Sequence, residues 1–113
     1  MTETLFDKII KKDIPADIIY EDEKSIVIKD INPQAPIHLL IIPKKNIPML
    51  SSADEEDKEI LGHLMLVAGK ISKILKLDNT FNIVINNGAN AGQTVFHLHL
   101  HLLSGKSLNW LPA

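Results

Sequence analysis

Cysteine is missing from all 113 residues. Disulfides and thiolate zinc sites are therefore excluded, and their absence suits a reducing compartment. A strong charge of one sign is missing too: the formal net charge is -2 with 23% charged residues. No broad basic field exists to attract nucleic acid, so none is expected as a partner. No apolar run approaches the ~20 residues of a membrane span. The opening "MTETLFDKIIKKDIP" carries acidic side chains from its start, unlike a secretory signal. A cytoplasmic protein without membrane association is expected. The chain also lacks internal repeats, linkers, low-complexity stretches and any regular strand–helix alternation.

What is there suffices for a single domain over residues 1–113, with 45% hydrophobic residues for its core. Leu5, Phe6, Ile9 and Ile10 recur at helical spacing between Glu3 and Lys12, and a helix there should stop before Pro15. Strands are expected at Asp17–Glu23, Ser25–Ile31 and Ile37–Pro43, with a turn at Asn32–Pro36. The segment from Ser51 to Leu77 has the strongest helical signal, with Ser52 and Glu55 as a capping box. Acidic residues crowd its first turn and lysines its last, as the helix dipole favours. Ile60, Leu64, Val67, Ile71 and Ile74 make one apolar stripe; Leu61, Met65, Ala68 and Leu75 make a second. A face so broad points to a homodimer, the alternative being cover by the chain's own loops. Thr80–Asn86 reads as another strand. The fold class is α+β: an antiparallel sheet, a short N-terminal helix and one long central helix.

"TVFHLHLHLL", Thr94 to Leu103, is the most unusual stretch. Its period of two reads as a strand with Leu98, Leu100 and Leu102 on one face and His97, His99 and His101 on the other. Three readings stand. A metal site would span outer Cα atoms ~13 Å apart, with rings leaning far inward, and would need His38 or Asp30 to close it. A structurally bonded histidine row is the second. The third is phosphorus chemistry. "NNGANAGQT" feeds directly into the strand, and its small residues let backbone N–H groups approach an anion, with Gln93 and Thr94 adding side-chain donors. Such a loop beside a row of nucleophiles suggests attack on a phosphorus atom.

His97 to Leu103 resembles the signature of the histidine-triad (HIT) superfamily, histidines alternating with apolar residues. "DINPQAPIHLLIIPKK", "LGHLM", "NNGANAGQTVFHLHLH" and the tail "NWLPA" resemble its nucleotide-binding protein branch, almost from end to end. The resemblance implies a homodimeric, HIT-like fold that cleaves purine nucleoside phosphoramidates to a nucleoside monophosphate and an amine. It implies His99 as nucleophile, with His97, His101 and His38 assisting, and neither metal nor cofactor. Asn86, Gly92, Gln93 and Thr94 match phosphate-contacting positions; Thr94 stands where relatives often have Ser. Asp30 matches a ribose contact, against the alternative of a plain turn residue. Ile31, Leu5, Phe6, Ile9 and Ile28 are the expected purine slot. The His99 tautomer requires an acceptor, and the carbonyl of His97 is expected to be it. His63 is expected to be structural. Trp110 either reaches the partner subunit's pocket or anchors its own tail. A non-catalytic nucleotide-binding partner protein and a dinucleoside polyphosphate hydrolase are the rival functions.

Overall fold

The computed structural model describes residues 3–107. Trp110, whose role the sequence left open, lies outside the described residues. Helix α1 (Leu5–Ile10) leads into strands β1 (Ile18–Glu21), β2 (Ser25–Lys29) and β3 (Ile37–Pro43), then helix α2 (Lys58–Ile74), β4 (Asn82–Val84) and β5 (Leu100–Ser104). The strands form one sheet in the order β1-β2-β3-β5-β4, every neighbouring pair antiparallel. The α+β architecture expected from the patterning is the one observed.

Register decides what each face holds. Val27 pairs with Ile41, Ile41 with Leu100 and Leu39 with Leu102, so these side chains share one face. There they pack with Leu64, Val67, Ala68 and Ile71 of α2 and with Leu98 and Ile47. On the other face Ile26, Ile28, Leu40 and Ile42 pack with Phe6 and Ile9 of α1. α1 is six residues long, too short to hold itself together in water. A capping box secures its start: Thr4 Oγ1 accepts from the Asp7 N–H and Asp7 Oδ2 accepts from the Thr4 N–H.

Three expectations need correction. The long helix does not start at Ser51. A 3₁₀ turn at Leu50–Ser52 is followed by another at Glu55–Asp57, and α2 begins at Lys58. The capping box is Asp54 with Asp57, not Ser52 with Glu55. Asp54 Oδ1 accepts from the Glu56 N–H and Asp57 Oδ2 from the Asp54 N–H, and Lys45 holds Asp57 at 2.6 Å. The two stripes on α2 also divide differently. Ala68 is buried and Leu61 and Leu75 pack on the domain's own core, whereas Ile74 is exposed. Met65 and Leu66, the latter overlooked in the periodicity, remain open at 51% and 76% exposure.

The third correction concerns the histidine strand, which begins only at Leu100. The Leu98 N–H bonds the carbonyl of Ile47 at 2.7 Å, drawing residues 95–99 away from the ladder. The division of faces survives: Leu98, Leu100 and Leu102 lie in the α2 core, while the histidines face the α1 side.

Candidate active site

Each histidine is held by a different set of partners, and those partners determine what its ring nitrogens can do. His97 is wholly buried. Its Nε2 donates to the Pro43 carbonyl at 2.7 Å, and its Nδ1 lies 3.3 Å from Thr4 Oγ1 and 3.4 Å from Asp7 Oδ1. Both nitrogens are engaged, and His97 does not line the cavity described below. Burial works to raise the Asp7 carboxyl, but the Thr4 N–H bond, the nearby His97 and the Asn46 amide outweigh it, and its pKa is lowered. His97 therefore ties α1 to the triad.

His99 is 7% exposed, with Nδ1 donating to the carbonyl of His97 at 2.8 Å. The acceptor expected from the sequence is the one found. It fixes the tautomer and leaves the Nε2 lone pair uncommitted among the described residues. Phe6 meets the His99 ring edge-on, centroids 4.9 Å apart, and limits its rotation. Burial lowers the His99 pKa, with the His97 carbonyl opposing, so the ring is neutral at pH 7.

His101 sits opposite Leu40, and His38 opposite Leu103, which makes the two histidines diagonal neighbours across β3 and β5. His38 Nε2 lies 2.9 Å from His101 Nδ1. Asp30 Oδ2 approaches His38 Nε2 at 3.3 Å, and Asp30 Oδ1 accepts from the Asn32 N–H at 2.8 Å. Asp30 thus serves the turn and faces the site together. Burial, then the neighbouring His99 and His38, push the His101 pKa down to about 4.

His99, His101 and Asp30 open onto a cavity of about 520 Å³, within the usual range for small-molecule sites, and His38 stands behind His101, off its wall. Leu5, Phe6, Ile9, Ile28, Asp30 and Ile31 line it, together with Thr94, His99 and His101. Ile31 is 99% exposed, an apolar side chain at the rim with nothing to cover it. Ile14, Pro15, Ala16, Leu40 and Val95 complete the apolar walls, and Asp17 and Lys29 stand at one side. Asn86, Gly92 and Gln93 are not on the wall. Asn86 donates to the Ala91 carbonyl, and the buried Gln93 bonds the Pro48 and Val95 carbonyls and the Gly88 N–H. Gly92 has φ 97°, a left-handed conformation suited to glycine. These residues shape the loop that presents Thr94.

The patterning missed Asp7, Gln34, Asn46 and the Pro43 carbonyl. Only the first left a trace in the sequence, since Thr4 and Asp7 have capping-box spacing. His63 behaves structurally, its Nε2 2.8 Å from Asp22 Oδ2. Burial would raise the Asp22 carboxyl, but bonds from the Lys24 N–H, His63, Tyr20 and Ser25 hold it well below the usual carboxylate range.

The HIT domain family matches residues 11–108. The chain belongs to the HIT domain family. A 14 kDa zinc-binding protein from Zea mays is 50% identical over 96% of this chain and 87% of its own length. A solved HIT family hydrolase from Clostridium thermocellum superposes with a TM-score of 0.93 at 42% identity, over 100% of this chain and 99% of that one. A histidine triad nucleotide-binding protein from Candida albicans gives a TM-score of 0.82 at 35% identity, over 98% and 85% of the two chains. The HIT fold here is therefore that of proteins named as hydrolases and nucleotide binders.

Proposed function

We propose that this HIT protein hydrolyses purine nucleoside 5′-phosphoramidates through a nucleotidyl-histidine intermediate on His99. The observation that carries this reading is a buried neutral imidazole with Nδ1 locked on the His97 carbonyl and Nε2 free, at the wall of an apolar cavity. The base lies in the slot of Leu5, Phe6, Ile9, Ile28 and Ile31, and the ribose hydroxyls meet Asp30. His99 Nε2 bonds to the α-phosphorus as the P–N bond breaks; the departing nitrogen takes a proton from water and leaves as amine. The imidazolium formed keeps its Nδ1–H on the His97 carbonyl, an acceptor that favours the charged ring. Water then attacks phosphorus, the monophosphate leaves, and the proton taken up is returned.

Charge at the cavity argues against the dinucleoside polyphosphate alternative. Lys29 is the one cationic side chain lining it among the described residues, and its Nζ lies 3.5 Å from Asp17 Oδ2. A polyphosphate leaving group would meet no free cation there, whereas an amine needs none. A non-catalytic binder would have no use for an oriented, unengaged Nε2.

The maize relative is named for zinc. Among the described residues, Asp30, His38 and His101 are the group whose ligand atoms converge, all within 4.8 Å of one another. They do not fit. A zinc-bound histidine presents a lone pair to the metal and donates its other N–H to an acceptor. His38 Nδ1 instead faces a donor, the Gln34 main-chain N–H at 3.0 Å.

We also propose a homodimer formed through α2. Met65 and Leu66 are exposed beside Gly62 and Gly69, which have open space above them, and β4 is an edge of the sheet. No helix among the described residues is long and apolar enough to cross a membrane.

The deciding experiment is AMP release from adenosine 5′-phosphoramidate in the presence of a chelator. Release at a rate proportional to protein supports the reading. No release, or release that returns only with added zinc, refutes it.

A further inference from the structure

We propose that the main-chain N–H of Gln34 is a positioning group that sets the tautomers of His38 and His101, making His101 a fixed neutral donor and closing the site to zinc. The use of that donor rests on the phosphoramidase reading; the tautomers themselves do not.

Gln34 lies in the Asn32–Pro36 turn. Pro33 and Pro36 have no N–H, and the Asn32 N–H is taken by Asp30 Oδ1. The Gln34 N–H points back to His38 Nδ1 at 3.0 Å. The turn is pressed against the end of β5. Gly105 has φ +94°, and a Cβ added to it would come within 2.9 Å of Pro36 Cβ, so only glycine permits this approach. The amide is therefore held in place from both sides.

A peptide N–H only donates, so His38 Nδ1 must accept and its proton must be on Nε2. That proton faces His101 Nδ1 at 2.9 Å and Asp30 Oδ2 at 3.3 Å, both acceptors. His101 Nδ1 then accepts as well, which puts its own proton on Nε2. His101 lines the cavity beside His99. The chain of constraints runs from a backbone amide through two imidazoles to one N–H offered to the phosphoryl oxygens. His101 cannot pass this proton on and draw another from His38, because His38 would be left as an anion. It stabilises developing charge as a hydrogen-bond donor that needs no reorganisation during reaction.

The same polarity excludes a metal. Zinc on His38 Nε2 requires the proton on Nδ1, where it would confront the Gln34 N–H. The three ligand atoms converge, but the lone pair that zinc needs is on the wrong nitrogen.

The test is ¹⁵N spectroscopy of the imidazoles in the full-length free protein at pH 7. His38 and His101 should both show protonated Nε2 and bare Nδ1, and His99 the reverse. A His38 signal from the Nδ1–H tautomer overturns the proposal. Gln34→Pro deletes the donor, whereas Gln34→Ala deletes only the side chain. The alanine variant should keep the His38 and His101 pattern. The proline variant should show mixed tautomers and a kcat about 10²-fold below the alanine variant, with KM little changed. A proline variant with the unaltered pattern and kcat refutes the proposal, and if that variant does not fold the wild-type spectrum alone decides. Titrating wild-type protein with zinc chloride should leave the His38 and His101 signals in place; a stoichiometric shift of both overturns the exclusion. A correct tautomer pattern without phosphoramidate turnover would sink the proposed function and leave this inference standing.

Discussion

Under α2 the sheet presents Val27, Leu39, Ile41, Leu100 and Leu102, all buried among apolar side chains. On the opposite face the same strands present Ile26, Ile28 and Leu40 for half their width, then His38 and His101, with His99 just ahead of β5. The first face is closed by a helix of 17 residues, the second by one of six that leaves a cavity beside it. Packing on the closed face is non-directional, so stability there depends on volume. On the open face the ring nitrogens are held by named partners except those turned to the cavity, so the chemistry available there depends on which nitrogen carries a proton. The closed face buries Leu98, Leu100 and Leu102, the residues that flank His99 and His101 along the chain, and so anchors the backbone that carries both rings.

The sharpest break in this comparison is His99→Ala. Turnover should fall by more than about 10⁴-fold, beyond what proton-transfer groups ordinarily contribute, while folding changes little. Rapid quench at neutral or alkaline pH followed by mass spectrometry should place the nucleotide adduct on the peptide holding His97 to His101, and the variant should lack it. An adduct that persists, or that maps to His38, would reassign the nucleophile. The matching change on the closed face, Leu100→Ala, should do the opposite. It removes a side chain that is 1% exposed and should cost about 2–5 kcal/mol in denaturant unfolding, with kcat retained in the folded fraction. A variant that keeps its stability but loses turnover would dissolve the distinction between the faces.

Asp30→Ala comes next in size. Ribose hydroxyls bonded to a carboxylate are held in ground and transition states alike, so the loss should appear as a KM raised about tenfold, with kcat less affected. An unchanged KM would remove Asp30 from the nucleotide site. The smallest effect is on pH. The folded His101 pKa is about 4 against an ordinary 6.5, so between those values the unfolded chain binds the proton the folded chain refuses. Stability should therefore rise with pH across that window and fall as pH drops through it, by an amount moderated by the partial exposure of His101. Unfolding curves for wild type and His101→Asn should converge above pH 7 in their slope against pH. Equal slopes between pH 4 and 6 would show that His101 does not titrate as its surroundings require.

Much of this was legible in the chain itself. Ile37–Pro43 is the strand its strongly apolar run announced, and Leu98, Leu100 and Leu102 face the core their spacing required. The slot residues on α1 and β2 do meet one cavity. Helix starts were less legible, because carboxylates at Asp54 and Asp57 displaced a serine cap that looked equally plausible. The exposed stripe on α2 was misjudged at Ala68 and Ile74, since periodicity states which residues share a face and not which neighbour covers it.

Alternation by itself determined that histidines and leucines part to opposite faces, because a strand has a period of two and only one face can join an apolar core. The division of labour among the histidines was decided by tertiary structure alone. His97 leaves the cavity because Leu98 bonds Ile47 instead of a strand neighbour, and its ring is taken up by Pro43, Thr4 and Asp7. His99 keeps a free nitrogen because the acceptor for its other one is two residues away on its own backbone. His101 becomes a donor because an amide 67 residues earlier, at Gln34, faces its partner His38. Hydrogen-bond direction is a property of atoms brought together in space, and no spacing of letters along the chain records it.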